Sequence, residues 1–134
     1  MKAILQIRGQ DPQGAGYYGA PRGTKTHRGI DYACLPGTAI CCHIYGTVTK
    51  LGKPYRDNPD TPDINEYERY DYVEVTAPNG DRHRYFYIDP SVEVGQAVSQ
   101  GAILGRTQKL HYRKITQHCH YEVIKDGKYV NPDS

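Results

Sequence analysis

Short segments of alternating polar and apolar residues, separated by glycine and proline, are the feature that most restricts the fold of this chain. The 14 glycines and nine prolines interrupt the sequence often, and no segment keeps a 3.6-residue apolar period over three helical turns. By contrast, residues 72–77 and 118–125 alternate with the period of two that is typical of a half-buried strand. Residues 78–81 (PNGD) predict a hairpin turn into a returning strand at 82–88. The sequence therefore predicts an all-β fold, mostly antiparallel.

The length of the chain predicts one domain. Its 134 residues are enough to bury a core of their own, and we take 1–134 as a single domain. Within it, residues 53–70 contain three prolines and are too long for an ordinary connection, so they predict an inserted loop.

Charge and hydropathy exclude several classes of partner. The net charge of +2 is too small to indicate a nucleic-acid-binding protein. The apolar runs are only a few residues long, which excludes a transmembrane helix and gives no reason to expect a membrane partner. Lys2 and Arg8 interrupt the N-terminal segment too soon for a signal peptide, so the localisation stays unknown at this stage. We expect a monomer.

The four cysteines, at positions 34, 41, 42 and 119, lack the CxxC spacing of a zinc ribbon or a redox pair. Without a signal peptide, reduced and mostly buried thiols are the expected state. A disulfide from Cys34 to Cys119 or to Cys41 stays open as an alternative.

Two histidine clusters carry the potential for chemistry. In the second, His118 and His120 project from the same face of a predicted strand, about 6–7 Å apart. In the first, His27 and Asp31 lie in a loop-to-strand transition. Two histidines and an aspartate make three ligands and leave a fourth position for water, which is the pattern of catalytic zinc. Zinc bound in this way lowers the pKa of a water toward about 7. A chance HxH pair without a metal remains the alternative.

Four blocks in a fixed order resemble a known family. They are the loop and HRGID motif within residues 16–35, the PGTAI and GTV segments that follow it, VGQAVSQGAILG at 94–105, and HCHYEV with DGKYVNP at 118–132. Together they resemble the lysostaphin-type (LytM-like) zinc endopeptidases, over about residues 16–132 apart from the 53–70 insertion.

The resemblance implies a fold and a set of roles. The fold is a small antiparallel β-sheet domain of the duplicated-hybrid-motif type, with a groove whose walls here would be the 53–70 and 106–117 loops. His27, Asp31 and His120 match the zinc ligands, and His118 matches the histidine that acts as general base or orients the water. The substrates of the family are peptides of bacterial peptidoglycan.

One position departs from the family pattern. Tyr87 stands where the family usually has a second catalytic histidine, and Tyr85 matches the tyrosine two positions before it. A neutral phenol can donate a hydrogen bond to an oxyanion, but with a pKa of about 10 it cannot act as a base at neutral pH. His83 shares the alternation face of both tyrosines but would lie about 13 Å from Tyr87 along the strand, so Tyr87 is preferred.

The sequence thus predicts a zinc-dependent endopeptidase that acts on the bacterial cell wall, as a phage-type lysin or a tail-associated hydrolase. Because Tyr87 replaces a histidine, the alternative is a zinc-binding but catalytically silent domain that binds cell wall or regulates other wall hydrolases. Residues 94–105 alone also resemble biotinyl and lipoyl carrier domains, but Lys128 lacks the flanking pattern of a modified lysine.

Overall fold

The computed structural model describes residues 6–9, 15–22, 25–54, 70–111 and 116–132. Most of the predicted insertion at 53–70 lies outside this part, which includes only Lys53, Pro54 and Tyr70 of that stretch. The central residues 112–115 of the predicted 106–117 loop also lie outside the described residues. Within them, no helix is long and apolar enough to cross a membrane.

All secondary structure in the described residues is β, as the alternation predicted. The strands are β1 (Gln6–Ile7), β2 (Pro21–Arg22), β3 (Lys25–Thr26), β4 (Ile30–Ala33), β5 (Ala39–Cys41), β6 (Gly46–Gly52), β7 (Tyr72–Thr76), β8 (Arg82–Phe86), β9 (Ile88–Pro90), β10 (Ala97–Val98), β11 (Ile103–Thr107), β12 (His118–Lys125) and β13 (Lys128–Val130).

One large sheet carries most of the molecule. Its strand order is β1-β4-β12-β8-β7-β6-β10, and β13 lies off this path and pairs with β12. A smaller sheet, β5-β11-β9, and a two-strand ribbon, β2-β3, complete the fold. All pairings are antiparallel. The prediction of an all-β, mostly antiparallel fold is confirmed.

The two faces of the large sheet have different roles because side chains alternate along each strand. One face packs on the core, to which β12 contributes Cys119, Tyr121 and Val123. The other face carries the alternate residues of β12, which are His118, His120 and Glu122. The chemically active side chains of β12 therefore share one face, opposite the core.

The predicted strand at 82–88 is broken in the structure. It separates into β8 and β9 at Tyr87, whose φ of 68° lies in the left-handed region. Backbone hydrogen bonds from the Tyr87 and Ile88 amides to the Asp71 carbonyl, 2.8 and 3.4 Å long, hold this break. A single alternation face for His83, Tyr85 and Tyr87 was therefore wrong, because the backbone turns at the last of the three.

The four cysteines carry free thiols. Cys42 and Cys119 are buried, and Cys34 and Cys41 are half-buried. Burial raises the pKa of the Cys42 and Cys119 thiols, so both are protonated at neutral pH and behave as small apolar residues.

Candidate active site

The antiparallel register of β4 and β12 brings the two histidine clusters together. His120 on β12 lies opposite Asp31 on β4, and His27 stands in the loop just before β4. The His120 Nδ1 is 2.8 Å from the Asp31 Oδ1, and the His27 Nε2 is 3.2 Å from the same oxygen. The two imidazole nitrogens are 3.1 Å apart. One ligand atom from each residue thus lies within 4.8 Å of the others.

The outward nitrogens of both imidazoles have acceptors. The His27 Nδ1 lies 3.0 Å from the Tyr17 carbonyl, and the His120 Nε2 lies 2.9 Å from a Glu122 carboxylate oxygen. Since both partners accept hydrogen bonds, these nitrogens donate. Whenever both rings are neutral, the lone pairs of the His27 Nε2 and the His120 Nδ1 point into the cluster. Two imidazole nitrogens and one carboxylate oxygen are a donor set that zinc accepts.

The charge balance of the cluster also suits a cation. Burial alone would raise the pKa of Asp31, but hydrogen bonds to His120 and His27 outweigh it and hold the pKa well below its usual range. Burial likewise disfavours a charged His120, yet Asp31 and Glu122 raise the pKa of this imidazole to about 9. The site is therefore one that stabilises positive charge next to a permanent carboxylate.

Arg8 is a residue of the site that the sequence did not reveal. Its Nε and Nη2 donate hydrogen bonds of 3.1 and 2.9 Å to the Asp31 Oδ2, and its backbone amide donates to the Asp31 carbonyl at 2.6 Å. Arg8 is only 2% exposed. It thereby occupies one carboxylate oxygen and leaves the other to the imidazoles. No local motif marks Arg8, because the contact joins residues 23 positions apart.

His118 lies beside the cluster with one nitrogen aimed at it. Its Nδ1 donates to the Thr116 carbonyl at 2.7 Å, and its Nε2 is 3.6 Å from the Asp31 Oδ2. Burial lowers the pKa of His118 and outweighs the attraction of the Asp31 charge. At neutral pH the ring is therefore neutral, with the lone pair on the Nε2 that faces the cluster. That is the state in which an imidazole can accept a proton.

Tyr87 stands next to His118. Their ring centroids are 5.6 Å apart in an edge-to-face arrangement, and Tyr70 contacts the other side of Tyr87 at 5.4 Å. Strict alternation would have placed Tyr87 on the core face with Tyr85. The positive φ instead turns the side chain toward the face that carries His118.

His83 is not part of this arrangement. It is buried on the core side, where its Nδ1 is 2.7 Å from the Tyr121 hydroxyl and its ring stacks on that of Tyr121. His43 stacks on the other residues of the same aromatic group, 4.3 Å from Tyr121 and 5.7 Å from Tyr85. His83 is buried in the core and the half-buried His43 packs against it, so neither joins the cluster.

These features define a class of protein: an all-β domain whose large antiparallel sheet has a largely buried His–Asp–His cluster on one face. A neutral histidine lies beside this cluster. The sequence profile of peptidase family M23 matches residues 25–132, well over half of the chain. The chain therefore belongs to peptidase family M23, and the predicted resemblance to the lysostaphin-type enzymes is confirmed.

Several solved structures have a fold similar to that of this chain. The catalytic domain of the antimicrobial peptidase lysostaphin from Staphylococcus simulans is 22% identical, with a TM-score of 0.68 over 90% of this chain and 87% of that one. A catalytic-domain variant of the prophage-encoded M23 protein EnpA from Enterococcus faecalis is 22% identical, with a TM-score of 0.62 over 98% and 92%. A zinc-containing peptidase from Vibrio cholerae is 24% identical, with a TM-score of 0.63, and this chain spans 36% of its length. No curated protein sequence gives a significant match.

Proposed function

We propose that the protein is a zinc-dependent endopeptidase that hydrolyses cross-links or stem peptides of bacterial peptidoglycan. The observation that carries the proposal is the neutral His118, whose Nε2 faces the His–Asp–His cluster. A base held beside a metal-type donor set is the minimal equipment for hydrolysing a peptide bond. Membership of a peptidase family, together with neighbours described as an antimicrobial peptidase and a zinc-containing peptidase, supports this choice.

Each residue has a separate task in this proposal. His27, Asp31 and His120 would hold the zinc, which would supply a Lewis acid for polarising the scissile carbonyl and lowering the pKa of water. His118 accepts the proton of the attacking water at its Nε2 and returns it to the leaving amine. Tyr87 donates its phenolic proton in a hydrogen bond to the oxygen that becomes negative as water adds to the carbonyl.

The orientation of His118 is central to its task. Because the Thr116 carbonyl accepts from the Nδ1 at 2.7 Å, the proton of the neutral ring stays on that nitrogen. The Nε2 then keeps its lone pair toward the cluster, and the ring cannot rotate without losing a hydrogen bond. This role needs no histidine at position 87.

The experiment is mass spectrometry of soluble fragments from several purified peptidoglycans, incubated with the zinc-loaded protein and with a chelated control. We expect new peptide termini only with zinc. His118→Ala should lose turnover and keep one zinc per chain, since this residue is outside the donor set. Fragments of equal yield from the His118→Ala protein would contradict the assigned base.

The replacement of the usual histidine by Tyr87 favours a second candidate, a zinc-binding domain without turnover that binds cell wall or regulates other wall hydrolases. Zinc-loaded protein that sediments with peptidoglycan but releases no fragments would support it. In that case, Tyr87→His should create activity.

We further propose that the protein acts on the cell wall as a phage-type lysin or a tail-associated hydrolase. The prophage origin of one structural neighbour supports this placement. Detection of a cleaved signal peptide on the natural gene product would contradict it.

A further inference from the structure

A pocket of about 460 Å³ opens beside the His–Asp–His cluster. Two of its lining residues contact the ring of His120. Phe86 packs edge-to-face against it with centroids 5.0 Å apart, and Glu122 accepts from its Nε2. Arg28, another lining residue, directly follows His27. A peptide bound across the cluster would therefore pass the mouth of this pocket.

The lining combines positive charge with aromatic surface. It contains three cationic side chains, three aromatic rings, a proline and one carboxylate. The cationic side chains are those of Arg28, Lys53 and Arg84, and the rings are those of Tyr72, Phe86 and Tyr129. The carboxylate, Glu122, already accepts from His120 at 2.9 Å and lies 3.6 Å from Arg84.

The cationic groups are held in place by their neighbours. The guanidinium of Arg28 lies 4.8 Å from the centre of the Tyr129 ring, and that of Arg84 lies 5.6 Å from the centre of the Tyr72 ring. The Lys53 Nζ is 2.6 Å from an Asp71 carboxylate oxygen. Cations ordered before binding lose little conformational freedom when an anion arrives.

Arg28 is the member that a ligand would engage most fully. Among the described residues, Arg84 forms ion pairs with Glu74 and Glu122, and Lys53 forms one with Asp71. None of the ion pairs seen in that part of the chain involves Arg28. Its guanidinium therefore offers a fork of donors that matches a planar carboxylate.

We propose that this pocket binds a carboxylate of the peptide substrate, carried within about two residues of the scissile bond, at the ~3.3 Å per residue of an extended chain. Arg28 pairs with the carboxylate, Lys53 and Arg84 add positive potential, and the rings of Tyr72, Phe86 and Tyr129 cover the aliphatic part of the same side chain. The proposal rests on the proposed peptidase function and makes it specific for acidic peptides.

The test compares two forms of one soluble peptidoglycan peptide, with its carboxylates free or converted to carboxamides. The wild-type zinc enzyme should cleave the carboxylate form with about five- to tenfold higher kcat/KM, mostly through a lower KM, as a partly exposed charge-assisted contact provides. Arg28→Gln should remove this preference, so that the carboxylate and carboxamide forms are cleaved with equal kcat/KM. Arg106→Gln is the matched control, because Arg106 is an exposed arginine of β11 in the β5-β11-β9 sheet, where its Nη1 donates to the Gly37 carbonyl.

Calorimetric binding of both peptides to zinc-loaded His118→Ala protein separates the two proposals. Tighter binding of the carboxylate form, lost with an added Arg28→Gln change, supports the pocket even if the wild type cleaves neither form, which would overturn only the peptidase function. Equal binding of the two forms, or a preference that survives both Arg28→Gln and Lys53→Gln, would overturn the pocket and leave the peptidase function intact.

Discussion

His118 and Tyr87 reach the same side of the cluster by different physical means. His118 sits on a regular strand, where alternation alone puts it on the face of His120, and a carbonyl acceptor decides which nitrogen holds the proton. Tyr87 sits at a break between strands and depends on a left-handed backbone conformation, which costs a residue with a Cβ about 1–2 kcal/mol. Hydrogen bonds to the Asp71 carbonyl hold that conformation.

Replacement of Tyr87 by phenylalanine tests the hydrogen bond to the developing oxyanion. Tyr87→Phe keeps the ring contacts with His118 and Tyr70 but removes the donor, so kcat should fall about 10²-fold. Zinc affinity should stay the same. Tyr87→His, unlike Tyr87→Phe, keeps a hydrogen-bond donor at this position and should retain activity. Steady-state kinetics on a cleaved peptide provide the readout, and an unchanged kcat in Tyr87→Phe would assign Tyr87 to packing alone.

Arg8 is expected to control the metal site through Asp31. Arg8→Gln removes the two-nitrogen contact that orients the carboxylate, and loss of such a supporting contact typically weakens metal binding about 10–100-fold. Arg8→Lys keeps the charge but cannot form the two-nitrogen contact. Its metal affinity should therefore lie between those of the wild type and Arg8→Gln. Competition with a chromogenic chelator measures the effect, with Arg106→Gln as the control. An affinity equal to that of the wild type in Arg8→Gln would show that Asp31 needs no such support.

At the scale of elements, the pairing of β4 with β12 builds the cluster. The loop before β4 must run very close to β12, and Gly29 makes this approach possible. A Cβ at this position would lie 2.3 Å from the Tyr121 carbonyl oxygen and 2.9 Å from the His120 Cε1. The glycine of the HRGID motif is thus required by space rather than by backbone conformation.

Gly29→Ala should therefore move the loop before β4, which contains His27, away from β12, which contains His120. Because backbone atoms of β12 must move, we expect a loss of about 1–3 kcal/mol in the free energy of unfolding, together with weaker zinc binding. Gly9→Ala is the matched control, since a Cβ there would meet no atom of the described residues within 4 Å. Urea denaturation of both metal-free variants gives the comparison. Equal midpoints would mean that the loop adapts without strain.

At the scale of the whole molecule, the core contains a group of stacked aromatic side chains that bear polar atoms. This group lies on the face of the large sheet opposite the site. Tyr121 lies at the centre of this group, stacked on His43, Tyr85 and His83. The burial of His83 lowers its pKa and outweighs the attraction of Asp81. The core is therefore built around a neutral imidazole that donates to or accepts from the Tyr121 hydroxyl.

A neutral buried histidine makes the stability of the fold depend on pH in one direction. Below about pH 6.5, His83 binds a proton more readily in the unfolded chain than in the folded protein. The free energy of unfolding therefore falls as the pH falls. His83→Asn lacks this titration and should lose less stability between pH 7.5 and pH 5.0 than the wild type. Urea denaturation of both metal-free proteins at the two pH values measures the difference. The same loss in both would place the pH dependence elsewhere.

Much of the fold and the three cluster residues could be predicted from the sequence, because strict alternation and compact motifs are local signals. The segments at 72–77 and 118–125 form strands almost as predicted, and the same alternation already put His118 and His120 on one face. The loop-to-strand transition predicted at His27 and Asp31 is likewise present, since β4 begins at Ile30. The residue types of the two histidine clusters also predicted that His27, Asp31 and His120 lie together, as they do in the structure.

The tertiary structure alone decided three other features. It brought Arg8 to Asp31 across 23 positions, turned Tyr87 out of its strand toward His118, and gathered Arg28, Lys53 and Arg84 around one pocket. A period of two describes a regular strand but contains no information about where the backbone breaks or which distant strand pairs with it. Those outcomes depend on contacts between residues far apart in the chain, and such contacts exist only once the sheet has formed.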